Sequence, residues 1–141
     1  MSKFRSTSWW LIFIVATYVI VGTLYAVYTP AWHVPDEPAH YNYIHELVTT
    51  GKFPIIEMGE YNQEYQNRLL TEKFPPELSI SSLHYEDHQP PLFYLLAAPV
   101  FWLTEGSSLA LRLFSVLLGA GVIVFAFLIV REVFPKQPAI A

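Results

Sequence analysis

Two acidic side chains stand next to each other at Asp36 and Glu37, bracketed by Pro35 and Pro38 and followed by His40. A carboxylate held at the start of a helix can take the proton of an attacking hydroxyl, and such general-base help contributes roughly 10²–10⁴-fold to a rate. The competing role for Asp36 is an ordinary N-cap, worth about 1 kcal/mol of helix stability. A second polar group runs His84-Tyr85-Glu86-Asp87-His88-Gln89 and passes straight into Pro90-Pro91. His84 and His88 are spaced i, i+4 with two carboxylates between them, and His33 stands three positions before Asp36. Imidazole and carboxylate suit zinc, but no compact metalloprotease motif is present, so no residue is assigned as a metal ligand. The sequence has no phosphate-cradling glycine loop and no nucleophile elbow.

The elements that must position these groups are membrane helices. Of 141 residues, 53% are hydrophobic and only 14% charged, below the roughly 25% of soluble domains. The deficit is local, which places the chain in the membrane class. A formal charge of −4 gives no electrostatic reason to expect nucleic acid as a partner. Zero cysteines exclude disulfides and thiolate metal sites.

Residues 9–28 carry no charge, and about 20 residues at 1.5 Å each match a hydrocarbon core of about 30 Å. Trp9 and Trp10 at one end and Tyr25 and Tyr28 at the other suit the two interfacial belts. Lys3 and Arg5 lie in the preceding segment 1–8, so the positive-inside rule puts the N-terminus in the cytoplasm. A cleaved signal peptide would have a shorter apolar region and a small-residue cleavage site, whereas this run ends Tyr25-Ala26-Val27-Tyr28. A retained anchor is expected. Residues 109–130 form a second long span, with Arg112 one turn inside its start, placed to snorkel to the headgroups. Ser115, Gly119 and Gly121 supply small positions that let a neighbouring helix approach closely. Between the long spans, residues 90–105 form a short apolar helix that can cross where the bilayer thins. The expectation is an all-α, multi-pass membrane protein with three spans rather than two, followed by a tail at 131–141.

Residues 29–89 are then an extracytoplasmic loop. All five histidines and ten of the twelve acidic residues fall within it, so polar chemistry concentrates there. Its first part predicts an amphipathic helix over 37–50, with Asp36 as N-cap, Pro38 in the first turn and Gly51 as the stop. Tyr41, Ile44, Leu47 and Val48 make the apolar stripe, with His45, Glu46 and Thr49 facing away. A stripe of this kind suits a helix lying on the bilayer surface. Residues 60–72 predict a further short helix, and residues 78–84 an extended segment.

In this order the residues resemble a known family. The apolar helix, Pro35-Asp36-Glu37 with His40-Tyr41, Gly51-Lys52-Phe53-Pro54, Gln89-Pro90-Pro91-Leu92-Phe93-Tyr94 and a helix with Arg112-Leu113 and Gly119 look like the N-terminal part of integral-membrane glycosyltransferases of the GT-C fold. Protein O-mannosyltransferases and lipid A aminoarabinose transferases are the subfamilies concerned. The resemblance implies transfer of a sugar from a polyprenyl-phosphate-linked donor to an extracytoplasmic acceptor (a lipid, glycan or protein), with inversion, in the plasma membrane. It also implies Asp36 as the base, with Glu37 beside it. His88 and Gln89 are substrate-binding candidates because the family's Pro-Pro motif lies near the donor's lipid phosphate; His40, one turn after Asp36, and Arg112, a cation at the membrane boundary able to neutralise that phosphate, are the others. Some members carry a lysine just before those prolines, where Gln89 stands here. Some members use a divalent metal. Members have around a dozen membrane helices, so the resemblance implies that this chain is a first piece, inactive alone.

Two readings of other classes compete with it. One is a membrane protein that binds metal through its His and carboxylate residues. The other is a small non-enzymatic membrane subunit, whose mark would be an open reading frame that truly ends at Ala141.

Overall fold

The computed structural model describes residues 2–56 and 62–134, and of residues 2–8 only the backbone. Among these residues the structure is all-α: α1 Ser2–Tyr28, α2 Glu37–Thr50, α3 Gln63–Thr71, α4 Leu92–Leu103 and α5 Ser108–Val133. The chain divides into two units, one made of residues 1–28 and 112–141, the other of residues 29–111.

The first unit is a pair of long apolar helices. The apolar window Trp9–Tyr28 and α5 are exposed or half-exposed along most of their length, with Ala26, Ala120 and Phe127 among the few buried positions. Trp9, Phe13, Ile20, Leu24 and Tyr25 on α1, and Leu117, Val122, Phe125 and Ile129 on α5, all stand exposed. Helices apolar on every side are compatible with insertion in a membrane. Both are long enough to cross a bilayer, at about 30 Å for the α1 window and about 39 Å for α5. The expectation of small contact positions holds for one glycine of the pair. A Cβ on Gly119 would fall on Tyr18 Oη of α1, and one on Gly22 would meet the Val116 methyls at 3.1 Å, whereas Gly121 faces open space. Arg112 is half-buried, and its Nη1 donates to the Ala26 carbonyl at 3.0 Å. A cation on the last carbonyls of α1 answers the helix dipole there.

In the second unit α2 packs against α4. Pro38 in the first turn of α2 and Gly51 just past its end set the bounds; Gly51 at φ 69 donates its N–H to the Leu47 carbonyl. The buried face of α2 differs from the apolar stripe read in the sequence. Ala39, Asn42, Tyr43 and Ile44 are buried, and Glu46 is half-buried rather than facing away. Tyr43 stacks on Tyr94 of α4 at 3.6 Å and 8°, and the Tyr41 ring lies 5.2 Å from Phe101. The face expected to rest on lipid is therefore covered largely by α4. The Tyr43–Tyr94 and Tyr41–Phe101 ring pairs add to the apolar area buried between the two helices.

α4 is shorter than the expected 90–105. Pro90 and Pro91 precede it, and Glu105 (φ 52) and Gly106 (φ 78) turn the chain left-handed after Thr104. At 12 residues it is about 18 Å long, short of a hydrocarbon core. The helix expected over 60–72 begins at Gln63, where Asn62 Oδ1 accepts the Tyr65 N–H at 2.9 Å; residues 57–61, and with them Glu60, lie outside the description. Residues 78–84 are not extended. They form successive turns, with Leu78 N–H on Pro75 O and Leu83 N–H on Ile80 O. Asn42 holds them by donating Nδ2 to the carbonyls of Ile80 (2.7 Å) and Leu83 (3.0 Å). Beneath lies a small core of Ala39, Leu69 and Leu83, flanked by Tyr65, Phe74, Leu78, Ile80 and Tyr85.

Candidate functional site around Asp36

The approach to α2 is an unusual piece of backbone. Trp32 (φ 67) and Asp36 (φ 61) both adopt the left-handed region, which costs a non-glycine residue about 1–2 kcal/mol. Glu37 contributes to holding this turn, because its Oε2 accepts the Trp32 N–H at 2.9 Å. The Trp32 ring meets Tyr41 edge-on at 4.9 Å. Strain of this sort persists where surrounding contacts over-determine it, and it concentrates at functional positions.

Asp36 occupies the N-cap position of α2 but makes no side-chain cap bond, contrary to the capping expectation. The left-handed backbone is the physical reason, since a capping residue ordinarily adopts the β region. Its carboxylate stays exposed, and Oδ1 accepts the phenol of Tyr85 at 3.0 Å. Burial, and then the bond to Asp36, push the Tyr85 phenol well above its ordinary 10.0, so it remains a donor at any physiological pH.

His40 lies one turn into α2, with Nδ1 2.8 Å from Tyr94 Oη. His88 is exposed and places Nδ1 3.0 Å from the Tyr85 carbonyl, while Gln89 donates Nε2 to Glu86 Oε2 at 2.6 Å. Tyr85 is thus the link between the Asp36 carboxylate and the segment that carries His88 and Gln89. It was not among the sequence candidates. Its place three residues before His88, in the most polar run of the loop, was the available signal. Arg112 belongs to the helical pair described above and is engaged there with Ala26.

The i, i+4 pair His84 and His88 does not converge on one point. His84 turns instead towards Asp87 and Glu46, and these three form the group among the described residues with ligand atoms close enough to hold a cation. His33 packs against the Phe74 ring, at 5.7 Å between centroids.

No protein-family model, curated protein or solved structure matches this chain.

Such an arrangement can accept a proton at Asp36. The carboxylate is open to an incoming hydroxyl on one side and held by a neutral phenol on the other. Glu37 beside it is tied to the backbone, which gives the two adjacent acids different work.

Proposed function

We propose that the chain is the N-terminal part of a membrane glycosyltransferase that uses a polyprenyl-phosphate-linked sugar, with Asp36 as its general base. The observation that carries this reading is the Asp36 carboxylate, which is exposed, released from capping and aimed by Tyr85. In the proposed step the acceptor hydroxyl oxygen attacks the anomeric carbon. The bond from that carbon to the phosphate oxygen breaks, the phosphate leaves with the electron pair, and Asp36 takes the hydroxyl proton. Attack opposite the departing phosphate inverts the anomeric centre.

The membrane supports the same reading. A prenyl chain requires a bilayer, and two helices long and apolar enough to cross one belong to this chain. Lys3 and Arg5 before the first of them favour a cytoplasmic N-terminus, which puts the loop with Asp36 on the opposite face. His88, Gln89 and His40 are the groups near which donor phosphate or acceptor would bind, and later parts of the complete enzyme would close the donor pocket.

The test is Asp36→Asn in the complete enzyme. Sugar transfer should fall by about 10²-fold or more, with membrane expression unchanged, as loss of a positioned base requires. Substantial retained transfer would refute the assignment.

A further inference from the structure

We infer that Glu46, His84 and Asp87 form a binding site for a divalent transition cation, zinc or cobalt being the best-suited probes. This inference is independent of the sugar-transfer reading and uses none of its proposed catalytic residues.

The imidazole of His84 supplies the first argument. Its Nε2 lies 2.8 Å from the Ser81 carbonyl oxygen, which can only accept, so Nε2 carries a proton. In the neutral ring Nδ1 then bears the lone pair. That lone pair faces Asp87 Oδ2 at 3.2 Å and Glu46 Oε2 at 3.7 Å, two oxygens that are themselves acceptors. Three electron-rich atoms facing one another suit a positive centre between them, either a second proton on the ring or a cation. A ring N–H bonded to a backbone carbonyl is also the usual outer support of a metal-bound histidine, fixing both tautomer and orientation.

The spacing supplies the second. Zinc at about 2.0–2.2 Å from each ligand, with tetrahedral angles, sets neighbouring ligand atoms about 3.3–3.6 Å apart. The two separations from Nδ1 bracket that interval, and all three ligand atoms lie within 4.8 Å of one another. Half-exposed Glu46 is the arm with room to close, while the Asp87 side chain is 1% exposed and fixed. An imidazole with two carboxylates suits zinc, cobalt or manganese better than calcium or magnesium. Three protein ligands would leave a fourth position for water.

The fold holds this geometry in advance. Asn42 and Glu46 are one turn apart on α2, so they share a face. Asn42 pins the turns containing Ile80 and Leu83, and His84 follows directly. Asp87 is then set beneath His84 by the turn in which its N–H meets the His84 carbonyl at 3.1 Å.

The experiment uses the full chain purified in detergent, stripped with a chelator and titrated with Co²⁺, followed by Zn²⁺ competition. One equivalent of Co²⁺ should bind with the visible absorption of a tetrahedral site, and Zn²⁺ should displace it. Glu46→Gln, a half-exposed position that leaves the helical content intact, should weaken binding at least tenfold, and His84→Gln should abolish it. His88→Ala should bind as the wild type does. Absence of uptake by the wild-type chain overturns the inference, as does undiminished binding in Glu46→Gln and His84→Gln, or loss of binding in His88→Ala.

Discussion

Tyr85 Oη donates to Asp36 Oδ1 at 3.0 Å across 49 positions of sequence, so the acid that opens α2 is aimed by the segment that precedes α4. The pair connects the loop's two polar groups. Under the proposed function, with Asp36 as the base, removing the donor should lower sugar transfer. Tyr85→Phe is expected to cost about tenfold in rate and about 1 kcal/mol in stability, the ordinary worth of one partly exposed hydrogen bond. Transfer assays and chemical unfolding of the same preparation measure the two effects.

The backbone at Asp36 makes a second prediction. Glycine adopts φ 61 without the penalty that aspartate bears there. Asp36→Gly relieves a left-handed backbone cost of about 1–2 kcal/mol but loses the Tyr85 bond, worth about 1 kcal/mol, so its stability should stay within about 1 kcal/mol of the wild type while the proposed transfer is abolished. Destabilisation beyond about 2 kcal/mol in denaturant titrations would mean that the carboxylate serves the fold instead.

Tyr85 also sets an alkaline limit. Its folded phenol is held above the ordinary 10.0 by burial first and by Asp36 next. Below pH of about 10 the folded and unfolded chains both keep this proton, and its contribution to stability is constant. Above that value the unfolded chain sheds a proton that the folded chain retains, so stability should fall as pH rises. Chemical unfolding between pH 8 and 11 measures the decline, and Tyr85→Phe should make it shallower without removing it, because burial raises the Tyr41 and Tyr43 phenols in the same direction.

Asn42 is buried and satisfies two carbonyls on turns nearly forty residues away. Asn42→Leu would leave the Ile80 and Leu83 oxygens without that donor, at a cost of about 1–3 kcal/mol each where water cannot reach them. The expected result is a lower unfolding midpoint together with weakened Co²⁺ binding, since His84 follows the released turn.

Parts of this architecture could be read directly from residue order. The two long helices follow from uninterrupted apolar runs, and α2 ends where Pro38 and Gly51 say it should. Local signals of this kind act within a few residues. The turns over 78–84 were not legible, because what shapes them is Asn42, a residue distant in sequence. For the same reason the buried side of α2 differs from the stripe that residue spacing predicts. A polar asparagine breaks an apolar stripe on paper, yet belongs at the centre of the packed face. Asp36 was recognisable as a chemical group from its type and neighbours. Its failure to cap depends on a left-handed backbone that no residue pattern announces in an aspartate.

The proposed sugar transfer requires Asp36 to lie open to the extracytoplasmic side of the bilayer. The chain contains no cysteine, so Asp36→Cys places a single thiol at that point. Labelling intact cells with a membrane-impermeant maleimide should modify it as fully as labelling after permeabilisation. Modification only once the cytoplasm is opened to the reagent would rule out that placement and the base role with it.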